Sequence, residues 1–571
     1  MGHARRPKPR RPGLSRRDFL KRTSAAVLSF GAVPLLQSCG GHDAGAAPAP
    51  APVPGTSDQI AFGHGVASGD PLFDRVILWT RITTTSAAPV TLDFVVARDA
   101  ALSQIVRSGQ AATDLGRDHT VKIDVDGLQA NTTYYYRFTA GTVNSPIGRT
   151  KTLPTGDIGR VRMAVVSCAS LAHGFFNAYR RIAERADLDL VVHLGDYIYE
   201  YGSGEFGDVR PYEPPNEIVS LSDYRTRYAQ YRRDTDLQEV HRQHPMVAIW
   251  DDHEFANNAY AGGAQNHTEA TEGSWTTRVA AATQAYYEWM PIRVVDPANL
   301  RKNNRSFAFG NLVDLLMLEE RVNARSMPLM TGSPVAPLGT FTQSGAFTDP
   351  ARQILGSEEE GWLSDKLRTS TAKWKLIGQG VMFAQLKVRP ATNANGGGTF
   401  ANSDQWDGYQ PARDRVYEVL KGNPTSPAVN NVVILTGDIH SSWAADLSQD
   451  PNNPDVARGG YNPATGAGSR AVEFVTTSIT SPAIGDLENV TVAALELINP
   501  HFKYIDLSER GYMLVDVDAT RVVSEWWYVD TVTSVSNVQS LGMALQVQEG
   551  ANHLIAASQT APRPNPPALA P

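Results

Sequence analysis

Four apolar segments, each followed directly by polar or ionisable residues, constrain the fold of this chain more than any other feature. They are 161–166 before Ser-Cys-Ala-Ser, 188–194 before Gly-Asp-Tyr-Ile-Tyr, 246–250 before Asp-Asp-His-Glu, and 432–436 before Gly-Asp-Ile-His. Short apolar runs alternating with helical stretches are typical of buried strands in α/β proteins. Sites in such sheets form outside the carboxyl ends of the strands. The sequence therefore predicts a layered α/β domain in which four strand ends meet at one pocket.

The residues at three of these ends have the chemistry of a strongly Lewis-acidic metal site. Asp196 follows a glycine, and its two carboxylate oxygens could bridge a pair of ions. Tyr199 would bind as a phenolate only to an ion such as Fe³⁺. Cys168 could add a thiolate and His440 an imidazole, which would give a mixed S/N/O site.

Two further carboxylates predict a second, harder metal position. Asp252 and Asp438 offer oxygen ligands suited to an ion such as Ca²⁺. Taken singly, these residues have simpler explanations, because a cysteine at a strand end is commonly a buried apolar residue and a Gly-Asp pair commonly forms a turn. The run 251–254 favours the metal interpretation, since four consecutive ionisable residues after a buried strand are costly to bury without metals or partners.

The N-terminal 46 residues have the order of an export signal. A basic stretch at 5–11 and Ser15-Arg-Arg-Asp-Phe-Leu-Lys precede an apolar run at 25–36. As a helix this run would reach about 18 Å, which is short of the roughly 30 Å bilayer core. The paired arginines match signals for the twin-arginine translocase, which would place the protein in the periplasm or outside the cell; the alternative is a chance basic segment. Cleavage near Ala46 and lipid attachment at Cys39 both remain open.

The remaining chain divides by composition. An Ala/Pro-rich linker at 47–59 leads to a strand-rich segment at 60–155, which predicts a small all-β sandwich, and 128–138 resembles the strand that carries a tyrosine corner. The α/β catalytic domain is expected at 160–535. A C-terminal segment at 536–571 ends in a Pro-rich tail that we expect to be disordered.

Charge and cysteine usage exclude two classes of protein. The formal net charge is −7, and it becomes more negative when the basic signal is removed, so the chain has no expected nucleic-acid-binding surface. An anionic substrate would then need local positive charge, which metal ions can supply. Of the two cysteines only Cys168 lies in the expected mature domain, so there is no disulfide framework.

Together these segments resemble the PhoD-type alkaline phosphatases and phosphodiesterases of the metallophosphoesterase superfamily, from the export signal to about Thr533. The resemblance rests on 62–71, Ser167-Cys168, Gly195-Asp-Tyr-Ile-Tyr-Glu200, Trp250-Asp-Asp-His-Glu254, Trp406-Asp-Gly-Tyr409, Gly437-Asp-Ile-His440 and 473–481. It implies that Fe³⁺ is bound by Cys168, Asp196, Tyr199 and His440, and that Ca²⁺ is bound by Asp196, Asp252 and Asp438. Other divalent metals stay open.

The resemblance also suggests residues that act on the substrate. His253 is expected to contact the scissile phosphate, as a transition-state donor or as the acid for the leaving oxygen, or else to orient a metal ligand. Arg321 and Arg415 are candidates to clamp phosphate oxygens, with structural ion pairs as the alternative. Asn257 lies in a family-like segment without an assigned role. The sequence departs from the family at Leu318-Glu-Glu-Arg321, where Leu-Asp-Thr-Arg is usual.

The resemblance implies an exported alkaline phosphatase that hydrolyses phosphate monoesters and diesters by in-line attack of a metal-bound hydroxide, without a covalent phosphoenzyme. A phospholipase or wall-polymer phosphodiesterase with the same metal site is the alternative enzyme. An exported binding protein with a degenerate enzyme domain is the alternative from another class. An intact set of six ligands argues against that last alternative.

Overall fold

The computed structural model describes residues 60–329, 340–389, 397–483 and 491–571. Its strands are β1 Val66–Gly69, β2 Val76–Arg81, β3 Val90–Ala97, β4 Ile105–Thr113, β5 Thr120–Val125, β6 Thr133–Ala140, β7 Val143–Asn144, β8 Gly148–Lys151, β9 Val161–Val166, β10 Leu190–His193, β11 Pro245–Ala248, β12 Arg305–Phe309, β13 Val313–Met317, β14 Trp374–Gln379, β15 Lys387–Arg389, β16 Thr399–Phe400, β17 Val432–Thr436, β18 Ser442–Leu447, β19 Ala471–Val475, β20 Phe502–Asp506, β21 Arg510–Val517, β22 Arg521–Val529, β23 Gln539–Gln548 and β24 Leu554–Ala556. Its α-helices are α1 Asn177–Ala183, α2 Leu221–Arg232, α3 Thr235–Gln243, α4 Glu269–Glu272, α5 Trp275–Trp289, α6 Gly356–Thr369, α7 Gln410–Lys421 and α8 Val492–Ile498.

Two mixed sheets organise these elements. The ten-stranded sheet has the order β24-β23-β22-β21-β9-β10-β11-β1-β2-β5, and the seven-stranded sheet has the order β12-β13-β14-β17-β19-β18-β20. β9, β10 and β11 are parallel neighbours, as are β13, β14, β17 and β19. Every residue of β9, β10 and β17 is buried. Parallel strands covered on both faces have continuous apolar sequences, which explains the uninterrupted runs in the sequence.

The sheets pack face to face, with helices on their outer faces. Alternate residues of the central strands, such as Val165 of β9 and Leu435 of β17, lie in the core that the sheets share. The other residues of the ten-stranded sheet pack under α1, α2, α3 and α5, and those of the seven-stranded sheet pack under α6 and α7. The predicted layered α/β class is confirmed.

The strand-rich segment before β9 contributes to two sheets. β3, β4, β6, β7 and β8 form a five-stranded antiparallel sheet, which shares an apolar core with β1, β2 and β5. β1, β2 and β5 instead extend the ten-stranded sheet. The Tyr134 hydroxyl accepts a 2.8 Å hydrogen bond from the Gln129 backbone N–H, a contact of the kind expected for a tyrosine corner. The N-terminal all-β region is thus continuous in hydrogen bonding with the larger domain, and the predicted boundaries of 60–155 and 160–535 stay a prediction.

The Pro-rich tail differs from the sequence-based expectation of disorder. Its backbone carbonyls accept hydrogen bonds from buried side chains, including Ala568 O from Tyr135 at 2.5 Å and Ala570 O from Gln243 at 3.1 Å. Arg563 forms an ion pair with Asp189 at 2.7 Å. Proline lacks an N–H but keeps its carbonyl, so a Pro-rich segment can still be fixed wherever the domain presents donors.

The predicted export signal at 1–46, including Cys39, and the predicted linker at 47–59 lie outside the described residues. Within the ranges that are described, no helix is long and apolar enough to span a bilayer.

Candidate metal centre

The predicted convergence of strand ends occurs at the carboxyl edges of both sheets. Cys168 follows β9 and Asp196 follows β10, and these strands are neighbours; Asp252 follows β11, and Asp438 follows β17 in the opposite sheet. Potential ligand atoms form three overlapping groups, Cys168/Asp196/His440, Asp196/Asp252/His253 and Asp251/Asp252/Asp438, and within each group the atoms lie no more than 4.8 Å apart. Asp196 belongs to two of the groups, as a bridging ligand should.

Four of these residues have a left-handed backbone conformation. The φ angles are 60° at Cys168, 56° at Asp196, 59° at Asp438 and 53° at His440. A residue other than glycine in this region costs on the order of 1–3 kcal/mol and concentrates at functional sites. The turn after each strand therefore aims the side chain at the shared pocket at the expense of local stability.

Tyr199 joins the first group through hydrogen bonds. Its hydroxyl lies 3.1 Å from Asp196 Oδ2 and 3.1 Å from His440 Nε2, and it accepts a bond from Ser481 Oγ at 2.7 Å. His440 Nδ1 donates to the Pro482 carbonyl at 3.0 Å. Burial lowers the pKa of His440 to about 3, so the ring is neutral and its Nε2 keeps the lone pair that a metal needs.

The thiol and the phenol of this group hold their protons in the absence of an ion. Burial, followed by the neighbouring Asp196 carboxylate, raises the pKa of Cys168 and also that of Tyr199 well above their usual values. Both side chains are almost completely buried. An ion binding here would displace these protons, which is the usual coupling of metal binding to deprotonation.

The third group, Asp251/Asp252/Asp438, contains two carboxylate oxygens that accept no hydrogen bond. Asp251 Oδ2 and Asp252 Oδ1 are buried and accept no hydrogen bond from any described residue. The other oxygen of Asp252 accepts from the Asn258 backbone N–H at 2.6 Å. Although burial opposes ionisation, Arg321 and His253 hold the pKa of Asp252 below its usual value. Unpartnered buried carboxylate oxygens fit a hard cation, which would supply the missing contacts.

His253 lies in the cluster beside Asp196 and Asp252 and is held by two neighbouring side chains. Its Nδ1 is 2.6 Å from Glu200 Oε2, and its ring stacks on Tyr199 with a centroid distance of 4.2 Å. Burial opposes protonation of His253, but Asp252, Glu200 and Asp196 together raise its pKa well above the usual value. In the metal-free site these carboxylates favour the protonated ring, in which Nδ1 donates to Glu200 and Nε2 carries the second proton.

Comparison with known proteins identifies the family of the chain. The PhoD-like phosphatase model matches residues 163–526, and the model of the N-terminal domain of PhoD-like phosphatases matches residues 46–154. The chain belongs to the PhoD-like phosphatase family. Alkaline phosphatase D of Bacillus subtilis strain 168 is 37% identical over 516 residues, which cover 87% of this chain and 81% of the Bacillus protein. A solved structure titled as that of PhoD matches with a TM-score of 0.77 and 34% identity, over 90% of this chain and 95% of the other.

As a PhoD-like phosphatase, the protein is a phosphoric ester hydrolase, and this class of enzyme depends on metal ions. The clusters of potential ligands at the strand ends agree with that dependence.

In this PhoD-like phosphatase, Arg321 is not placed to bind phosphate oxygens of a substrate. Its guanidinium is completely buried and contacts Asp251, Asp404 at 2.6 Å and Asp438 at 3.1 Å, with Asp252 at 3.7 Å. No arm of the guanidinium is left for substrate. Arg321 supplies the positive charge that balances the buried acidic cluster. This is the structural ion pair that was the alternative to phosphate binding.

We expect Arg321→Met to lower the free energy of unfolding of the metal-free protein by about 3–5 kcal/mol, because several buried carboxylates lose their cation. Urea denaturation in the presence of chelator measures this change. The matched control is Arg415→Met, which removes a half-exposed partner of Glu360 and should cost less than about 1 kcal/mol. Equal costs for the two variants would contradict the counter-charge role.

The structure does not bring the other two substrate candidates to the site. Arg415 pairs with Glu360 at 2.6 Å, on the surface between α6 and α7. The Asn257 side chain donates to Gln265 at 3.3 Å, while its backbone N–H donates to Glu200 at 2.7 Å. Arg415 is a structural ion pair, and Asn257 supports the carboxylate that holds His253.

Three supporting residues received no role in the sequence analysis. Glu254 accepts backbone N–H bonds from Asp196 at 3.0 Å, Tyr197 at 2.5 Å and Asp251 at 2.8 Å, so one carboxylate fixes two ligand turns. Glu319 accepts from Trp250 Nε1 at 2.8 Å, and Glu320 accepts from Trp406 Nε1 at 2.9 Å and from Gly380 N. The two glutamates that depart from the family pattern thus anchor the loops around the site.

Proposed function

We propose that this PhoD-like phosphatase is an exported enzyme that hydrolyses phosphate monoesters and diesters at a pair of unlike metal ions. The observation that carries the proposal is the grouping around Asp196, where sulfur, nitrogen and phenol ligands lie on one side and carboxylates lie on the other. Such an asymmetric donor set suits two ions of different hardness.

In this proposal Fe³⁺ is held by Cys168, Asp196, Tyr199 and His440, and Ca²⁺ is held by Asp196, Asp252 and Asp438. The proposal is supported by the buried thiol and phenol, which are poor ligands for a weak Lewis acid, and by the unpartnered carboxylate oxygen of Asp252. When bound, the ions would activate water and neutralise charge on the phosphate group.

His253 would assist the reaction as a positioned proton donor. Glu200 fixes its Nδ1 at 2.6 Å, and Tyr199 supports one face of its ring. The proton on Nε2 is then available to a phosphate oxygen or to the leaving oxygen. Orientation by both neighbours reduces the entropy that the ring would otherwise lose on reaching the transition state.

Substrate class is tested directly on the purified protein with a chromogenic monoester and a chromogenic diester, each with and without chelator. The proposal expects chelator-sensitive hydrolysis of both substrates. Hydrolysis of the diester alone would favour the phospholipase or wall-polymer phosphodiesterase alternative. A folded, metal-loaded protein inactive on both would favour the binding protein.

Cys168→Ser should remove the iron and any visible charge-transfer absorption, because a hydroxyl does not replace a thiolate at a softer site. Turnover should fall by more than about tenfold, since even residues that only support ligands cost this much. Iron analysis and the visible spectrum measure the change. Cys39→Ser is the matched control, and a fully metallated, active Cys168→Ser protein would show that the thiol is an ordinary core residue.

Export by the twin-arginine translocase and a lipid anchor at Cys39 are also part of the proposal. Both rest on the N-terminal sequence alone. Replacing Arg16 and Arg17 with lysine should retain the precursor in the cytoplasm, as cell fractionation would show; undiminished export would contradict the assignment.

A further inference from the structure

Five arginines are among the largest completely buried side chains of the described chain, and one of them differs from the rest. Arg162 and Arg321 pair with aspartates, and Arg278 pairs with Glu217 and Glu272. Arg227 donates to backbone carbonyls, including Glu213 O at 3.0 Å and Tyr201 O at 3.0 Å. Arg232, at the end of α2, has neither kind of partner.

The Arg232 guanidinium is enclosed by apolar and aromatic groups. It lies 4.2 Å from the ring centroid of Trp79 in β2, and its residue is completely buried. Its Nε and both Nη atoms donate to no acceptor with hydrogen-bond geometry among the described residues, although the Tyr197 phenol oxygen lies beside it. No described carboxylate forms an ion pair with it, whereas the other charged buried arginines have such pairs or a set of carbonyls.

Further polar groups lie near Arg232, among them the Tyr197 hydroxyl and the His241 ring. His241 Nε2 lies 2.9 Å from the Tyr197 hydroxyl, and His241 Nδ1 and the Tyr228 hydroxyl have no partner in the described chain. Burial, and then Arg232, lower the pKa of His241 well below its usual value, and burial raises the pKa of Tyr228 well above its usual value. In the tautomer whose Nε2 accepts from the Tyr197 hydroxyl, the neutral His241 ring carries its proton on Nδ1 and is a donor there.

Arginine keeps its positive charge in proteins, so this buried guanidinium still needs a compensating partner. The aromatic ring of Trp79 compensates only a small part of the cost of burying a full charge. Water would satisfy hydrogen bonds but would leave the charge uncompensated. The missing component must therefore be both an acceptor and an anion.

We propose that Arg232, with Tyr228 and His241 as further donors, forms a buried binding site for a small monovalent anion of the halide class. A single charge matches the single unpaired guanidinium. His64 adds no second charge, since burial lowers its pKa to about 3. The nearby Arg81 already pairs with Asp118 at 2.8 Å. The anion site is independent of the metals and of the proposed substrates.

The location gives such an anion a structural role. Trp79 belongs to the strand-rich N-terminal region, α2 belongs to the larger domain, and Tyr197 follows the bridging residue Asp196 directly. The Tyr197 backbone N–H donates to Glu254, which also holds the turn at Asp196. The anion would thus complete the packing beneath the metal-binding turn and stabilise the junction of the two regions.

The direct test is diffraction from crystals of the intact, metal-loaded protein grown in bromide, with data collected at the bromine absorption edge. We expect an anomalous peak within hydrogen-bonding distance of the Arg232 guanidinium. Ordered water without an anomalous peak at this position would overturn the proposal. Sulfate or phosphate bound there in preference to bromide would overturn the assignment to a monovalent halide.

A thermal-shift titration provides an independent test in solution. At constant ionic strength, replacing gluconate with chloride or bromide should raise the melting temperature by roughly 1–3 °C and should saturate, as binding to the native state requires. Arg232→Met should abolish the saturable response, and the control Arg81→Met should keep it. A response of equal size in both variants would refute the site, and if Arg232→Met does not fold, the bromide diffraction decides.

Discussion

Asp196→Asn should reduce kcat/KM for a phosphate monoester by more than about 10³-fold, because an amide oxygen cannot bridge two cations as a carboxylate does. Each ion contributes several kcal/mol to transition-state stabilisation, and 1.4 kcal/mol corresponds to a factor of ten. Asparagine has nearly the same volume and keeps an acceptor for the 3.1 Å contact with Tyr199. We therefore expect the variant to fold while both metals bind weakly, as kinetics and elemental analysis would measure.

The control for this experiment is Asp314→Asn. Asp314 lies near the amino end of β13, and the site lies at the opposite, carboxyl ends of the parallel strands. The Asp314→Asn variant should retain its metals and its turnover. Wild-type-like activity in Asp196→Asn, with Asp314→Asn equally active, would contradict the bridging role and with it the two-metal account.

His253→Gln should lower kcat by about 10²–10⁴-fold, the range expected for a lost general acid or transition-state donor. Glutamine can still interact with Glu200, but it is not a cation and cannot transfer a proton. The metal content should not change. Kinetics combined with elemental analysis separate the two candidate roles: a fall in kcat with both metals present supports proton donation.

The companion variant Glu200→Gln tests the orientation of the same ring. Glu200→Gln removes the charge that fixes His253 Nδ1 but leaves Nε2 in place. Its loss of kcat should therefore be smaller than that of His253→Gln. If His253→Gln instead loses a metal, His253 acts as a ligand or orients one. A near-normal kcat in His253→Gln would exclude any role in the chemical step.

The sequence predicted the position of the site because that information is local. A buried strand followed by a glycine and an acid can be recognised within a few residues, as at Gly195-Asp196 and Gly437-Asp438. The direction of parallel strands then brings such residues to one edge. The proximity of the six predicted ligands follows from this rule, whereas their occupation by iron and calcium stays a prediction.

The predictions were wrong for residues whose partners lie far away along the chain. Whether Arg321 meets phosphate or carboxylates depends on Asp251 and Asp404, which lie 70 and 83 residues away. Arg415 is excluded from the site by its helix, because it projects toward Glu360 of α6 rather than toward the strand ends. Residue type alone does not distinguish an arginine that binds phosphate from one in a structural ion pair, since an arginine near acidic residues fits both roles.

The strand-rich region and the tail show the same limit. Alternation of apolar residues identified strands before residue 155. It could not show that β1, β2 and β5 join the ten-stranded sheet, because β1 pairs with β11 only after more than 170 residues of intervening chain. The composition of the tail predicted disorder, yet donors such as Tyr135 and Gln243 lie where its carbonyls can accept. Contacts of this kind are decided by tertiary structure.

We propose above all that the cluster around Asp196 binds two unlike metal ions that are required for phosphate ester hydrolysis. Elemental analysis of the protein exported by its own pathway, paired with activity measured before and after chelation, tests this claim most directly. We predict iron and calcium in equal molar amounts, each close to the molar amount of the chain, and loss of hydrolysis when calcium is removed. Full activity in a protein that contains neither metal, nor any other ion at this site, would contradict the claim.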